Sequence, residues 1–277
     1  MPDGTTVMYR YDGSFDGLMC CIFEAFSQKE QPAEYRTEDA PTLYPVREIE
    51  TDPGHAARVR ASIPRRLGER GWELVWHGFL YGGTGKEAAI ERFLRIGYPL
   101  GRQAPFTLSD PAVAALHKMA LAVEKEAHLM TGFVRFSEHG GMLASVIEPK
   151  HFILPLMSAH FCERFCEEPF VIHDASHGAA LVYHPYQARL LAVEGVEPDS
   201  PEESELEFRR LWRQYYHSTG IAERENPRGR MTHMPKRFWS RLTELTDEPK
   251  GAHTGSGDVA DTLKNLSARP AGTQKSS

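Results

Sequence analysis

The chain has 277 residues, 41% hydrophobic and 25% charged, enough to bury a sizeable core as one large domain or two smaller ones. Its net charge of −6 excludes a polycation, so any nucleic-acid surface has to be local. Four cysteines, with Cys20 and Cys21 adjacent, do not make a disulfide framework, and no signal pattern or long apolar span appears, which leaves the cytoplasm as the expected compartment.

Val7-Met8-Tyr9-Arg10-Tyr11 reads as a short strand, and Asp12-Gly13-Ser14 turns it. Ser14 is placed to cap a helix over 15–26, whose apolar side carries Leu18, Met19, Ile22, Phe23 and Phe26. Residues 28–53 are polar and proline-bearing, with a short strand expected at 46–50. Residues 56–67 look helical despite Pro64, and 72–81 form a further helix or strand. Gly82-Gly83-Thr84-Gly85-Lys86 invites a phosphate-loop reading. That motif needs glycine where Leu80 stands and Ser or Thr where Glu87 stands, so a plain loop entering a helix over 87–96 is expected. Asp110-Pro111 then caps and starts a long helix over 112–130.

The pattern is densest between 124 and 185. The helical spacing of Leu116, Met119, Val123, Ala127 and Met130 stops at Thr131-Gly132. Phe133–Phe136 and 142–147 read as two strands about a turn at 138–141. Residues 153–166 restore helical spacing. A second hairpin follows, 170–173 and 179–184, turning near Ser176-His177-Gly178. The expected fold is therefore α+β: an antiparallel sheet from two central hairpins, joined by the N-terminal strand and surrounded by helices. Residues 1–249 are expected to form one globular domain. Beyond 205 come a helix to about 218, a loop with Asn226-Pro227-Arg228-Gly229-Arg230, and a last helix to about 245. Residues 250–277 are Gly-, Ser- and Thr-rich and are expected to be a disordered tail.

Several stretches together resemble a bacterial family usually called "probable DNA metabolism protein". They are Tyr9 to Gly17 with Cys21-Ile22-Phe23-Glu24-Ala25-Phe26, Gly132 to Phe136, Ile153 to Leu156, His160-Phe161, Arg164-Phe165 and Ile172-His173-Asp174. Toward the C-terminus they are Leu211-Trp212, Tyr215-Tyr216, Arg224, Asn226-Pro227 and Met234 to Trp239. The similarity spans about 7–248. The chain departs from the family pattern at His173, where a tyrosine precedes the aspartate, and near Arg230, where a glutamine is usual. The resemblance implies a DNA-repair setting. Members accompany a radical-SAM protein, and in other relatives the domain is fused to a uracil-DNA glycosylase domain, which is not expected here, where a polar tail follows. DNA and one of these two proteins are the expected partners, and the family's biochemical reaction is unknown.

Two constellations bear on chemistry. Cys162 and Cys166 share a helix face and precede His173 and His177, a donor set that would suit structural zinc. Their spacing matches no ribbon or finger, and cysteines beside Phe161 and Phe165 read as buried helix positions. No metal and no cofactor are assigned. Glu126, His128, Arg135, Glu148, His160, Arg164 and Asp174 form the other set. Its readings are an Arg–carboxylate network bracing helix on sheet, a phosphate site using Arg135 and Arg164, or an acid–base pair of His160 and Asp174 acting on a base or nucleotide. Whether the chain is an enzyme stays open.

The strongest charge contrast lies at 208–241, with nine basic residues against two acids, a local charge of +7. Its aromatics are expected to pack while the loop from Arg224 to Arg237 presents Arg224, Arg228, Arg230, Lys236 and Arg237 to nucleic-acid phosphates.

Overall fold

The structure is a computed structural model, and it describes residues 7–39, 41–139, 141–193, 209–212, 214, 231, 234–243 and 245. The chain divides into two compact units, Met1–Lys125 and Glu126–Ser277.

In the first unit, β1 (Met8–Arg10) lies between β2 (Glu34–Arg36) and β3 (Val46–Glu48) in a small all-parallel sheet. The helix α1 (Phe15–Ser27) supplies the crossover that a parallel neighbour needs. Ser14 starts it as expected: its Oγ accepts from the Gly17 amide at 2.8 Å, and Asp12 in turn accepts from the Ser14 amide and hydroxyl. The N-terminal strand therefore belongs to its own sheet and does not join the central one. The two segments expected around 56–81 form one helical stretch, α2 (Pro53–Phe79), with Asp52 as cap and Pro53 at its first position. It is bent at Gly68, whose φ of 76° and ψ of 177° break the helical path. α3 (Lys86–Leu100) follows the glycine turn, and a short 3-10 helix, Gly101–Phe106, ends it. Lys86 turns back: its Nζ donates to the Phe79 carbonyl at 2.8 Å and lies 4.7 Å from that ring's centroid. Leu18, Ile22, Ile63, Leu74, Ile90 and Phe93 are fully buried in this unit's core.

α4 (Pro111–Phe133) opens on Asp110, which accepts from the Ala112 amide at 2.8 Å. It runs through Thr131-Gly132, where a stop was expected, so Phe133 is helical and 133–136 is no strand. The apolar spacing Met130–Phe133 carries the helix one more step, and Arg135 closes it by donating to the carbonyls of Gly132 at 3.0 Å and Val134 at 3.3 Å. β4 (Ser137–His139) and β5 (Met142–Ile147) then make the hairpin, shifted toward the C-terminus.

The second unit's sheet has the order β4-β5-β6-β7-β8, with β6 at Phe170–Asp174, β7 at Ala179–His184 and β8 at Gln187–Ala192. The expectation of a purely antiparallel sheet is corrected at its centre. β5 and β6 pair in parallel, Leu143 opposite Phe170 and Ile147 opposite Asp174, because α5 (Leu154–Arg164) carries the chain back to the starting end. β8 extends the second hairpin into a three-stranded meander. Strand alternation gives the sheet two faces. α5 covers one of them through Phe161 and Phe165, whose rings pack on Phe136 and Phe170, with Phe170 stacked on Tyr183 at 4.9 Å. The other carries Ser137, Val146, His173 and Ala180. The whole is α+β, and among the described residues no helix is long and apolar enough to cross a membrane. The expected tail and most of 194–233 lie outside the described residues.

Candidate functional site

The described C-terminal part of the basic segment, Lys236–Arg241, is tied down by charge. Residues 209–212 are helical, and Lys236–Arg241 form a 3-10 helix in place of the last α-helix expected there. Phe238, 4% exposed, packs against Phe133 at 5.5 Å between ring centroids. Beside it Arg237 meets Glu126 at 2.7 Å. Glu126 sits on α4 with its side chain almost fully buried, and its oxygens also accept from the backbone amides of Lys150 at 3.1 Å and His151 at 2.8 Å. A buried carboxylate needs such compensation to stay charged. Arg241 pairs with Glu148, and Arg209 donates to Ser137 Oγ. Arg135, Glu148, Arg237, Phe238 and Arg241 thus line one small pocket with Met130 and Phe133.

Three histidines lie close by in sequence. His151 is buried, and burial pushes its pKa down against the pull of Glu126, helped by the nearby charges of Lys150 and Arg237. His173 is shifted the same way by burial, and its Nδ1 is buried without a hydrogen-bond partner among the described residues. His177 donates from Nδ1 to Asp174 at 2.7 Å. Asp174 is fully buried and also accepts from the amides of Ser176 and His177, so its carboxylate closes the β6–β7 turn.

The expected site residues separate accordingly. Arg135 and Arg237 come together with Glu126 and Glu148. His160 and Arg164 stand one turn apart on an exposed part of α5, where the imidazole meets the Phe161 ring edge-on at 5.0 Å and the guanidinium lies over Phe165 at 5.6 Å. Asp174 is held in its own turn. Lys236 is exposed, its Nζ 5.8 Å from the Trp239 ring centroid. Arg224, Arg228 and Arg230 lie outside the described residues. Cys162 is half-buried with its thiol pushed up by burial, and Cys166 is exposed. Among the described residues no three His, Cys, Asp or Glu side chains converge as a metal site.

Residues 84–244 match the family described as a domain of unknown function, DUF4130. The chain belongs to this family. The DUF4130 stretch starts at the glycine turn before α3 and takes in α4, the five-stranded sheet and the basic segment. No curated protein and no solved structure matches the chain.

Two features of this DUF4130 protein escaped the sequence reading. Trp212, expected to pack with the other aromatics, is 43% exposed, and Leu211 beside it is 54% exposed. In the first unit, Arg58, Arg65 and Arg66 of α2 border a groove with Phe23, Phe26 and Tyr98. The signal for the groove was present in the seven-residue spacing of Arg58 and Arg65, which returns to one helix face after two turns.

Proposed function

We propose that this chain is a DNA-repair or DNA-metabolism accessory protein that binds nucleic acid and acts with a radical-SAM or uracil-DNA glycosylase partner. The DNA setting and the partners rest on the resemblance to the "probable DNA metabolism protein" family. What supports nucleic-acid contact is Trp212. This large ring is 43% exposed, next to Arg209 and Arg210, inside a stretch of charge +7 in a chain of −6. Rings for bases set among cations for phosphates are how proteins hold single strands and unpaired ends. In this reading Arg237 and Arg241 dock the segment on Glu126 and Glu148, while Arg224, Arg228, Arg230 and Lys236 are the phosphate contacts.

The test is DNA binding by anisotropy over a salt series, comparing the native chain with Arg228→Ala/Arg230→Ala. The expected result is weaker binding to every sequence and a salt slope reduced by about 0.7 to 0.9 per lost phosphate contact. Unchanged affinity and slope would exclude this loop.

A further inference from the structure

We propose a second nucleic-acid site, wholly within the first unit: the groove between α1, α2 and α3 binds a single strand. The proposal rests on residues of the first unit alone, so it stands or falls separately from the reading of 208–241.

The groove has thirteen lining residues, and none is Asp or Glu. Four are arginines. Arg95 is fixed by Glu91 and by the Glu30 carbonyl. Arg58, Arg65 and Arg66 are exposed, and among the described residues none of them forms an ion pair with a carboxylate. The nearby acids are engaged elsewhere: Asp16 with Arg60, and Glu73 with Arg70. Glu69 lies on another flank, with Arg60 and Trp72. The groove is therefore a strip of uncompensated positive charge, complementary to a polyanion.

Its floor is aromatic. Arg58 lies over the Phe23 ring at 5.2 Å and Arg95 over Phe26 at 5.0 Å, while the His55 ring stacks on Phe23 at 3.9 Å, nearly parallel. Phe26 meets Tyr98 edge-on, and the Tyr98 hydroxyl bonds Ser62 Oγ at 2.7 Å. On the groove side these layers end in the flat face of the exposed Arg58 guanidinium, while His55, beside Asp52, lies outside the groove's lining. Bases splayed from a single strand stack on such planes, whereas a duplex keeps its bases inside. The span selects a strand over a mononucleotide. Arg65 lies seven positions after Arg58, about 10 Å along the helix. A single strand advances by at least about 3.4 Å per phosphate, and further when its bases are splayed out, so the strip faces at most about three phosphates.

The experiment uses the full chain and a fluorescein-labelled oligothymidylate of about 12 nucleotides, with anisotropy read across a salt series. Arg58→Ala/Arg65→Ala/Arg66→Ala is expected to weaken binding at least about tenfold and to reduce the salt slope by about 2. Arg58→Gln/Arg65→Gln/Arg66→Gln keeps the side-chain stems and serves in its place if the alanine variant fails to fold. An oligomer of the same length made of abasic spacers is expected to bind the native chain at least about fivefold more weakly, since the phosphates remain and the bases are gone. Native-chain binding that is absent, or equal for the abasic oligomer, overturns the proposal. So does a triple variant that binds like the native chain. If that variant binds normally while Arg228→Ala/Arg230→Ala does not, the groove is excluded and the reading of 208–241 survives. The opposite pattern retains the groove and excludes the loop.

Discussion

Glu126 and Asp174 show how much a carboxylate's role depends on what surrounds it. Both were legible as charged residues in the densest part of the chain. Neither partner set was, because Lys150, His151 and Ser176 contribute backbone amides, which leave no mark in side-chain identity. The histidines carry the residue-scale prediction. Burial holds His151 and His173 below the usual histidine value. In the unfolded chain each takes up a proton near pH 6.5, so the unfolded state binds more protons and gains as the solution is acidified. Their favourable contribution is full above about pH 6.5 and is lost as pH falls toward the depressed folded values. The melting temperature should therefore drop between about pH 7.5 and about pH 5.5, and His173→Leu should make the drop smaller. Parallel pH profiles for the two proteins would show that His173 does not titrate in this way.

At the scale of elements, the caps were the most readable features. Ser14 and Asp110 start their helices where their side chains say they should, because an N-cap is a local contest between a side chain and an amide. Helix ends and strand pairing were less readable. α4 ends on Arg135, a long side chain reaching back to carbonyls, and the parallel pairing of β5 with β6 depends on where α5 leaves the chain. The bend in α2 is a backbone event at one glycine. With φ at 76° and ψ at 177°, Gly68 occupies a region essentially closed to other residues. Gly68→Ala should cost about 1–3 kcal/mol in chemical denaturation. Gly85→Asn is the matched control. Gly85 is left-handed at φ 80° and ψ 10°, a conformation asparagine accepts, and its side-chain space is open, so the cost should stay below about 1 kcal/mol. Equal costs would mean that the α2 bend straightens on substitution.

For the whole molecule, the order of helical and strand-like spacing supported an α+β chain and the charge distribution a local basic region, and the structure is α+β. The small parallel sheet of the first unit was hidden, because three-residue strands such as Glu34–Arg36 are too short to show a period. The groove was only half legible: the Arg58–Arg65 spacing marks a basic helix face, but that Phe23 lies against it appears only when the fold sets the two helices together. The 27 residues beyond Lys250 hold few apolar groups, so their removal is expected to expose little surface that folding had buried. Ending the chain after Lys250 should leave the melting temperature within about two degrees. A larger fall would show that the tail docks.

The parallel pairing of β5 with β6 also orders events in time. β6, β7 and β8 follow one another through tight turns, so their meander closes short loops and can form early. β5 reaches β6 only after the stretch holding α5 has folded across, a longer loop with a greater entropic cost. During refolding the β6 edge therefore stands unpaired until α5 is seated. In pulsed hydrogen exchange the amides joining β7 to β8 should become protected first, and those joining β5 to β6 last; the reverse order would show that α5 docks before the meander closes. While that edge waits, a second copy's β5 is its natural competitor, and the yield of native protein falls as the chains are refolded at higher concentration.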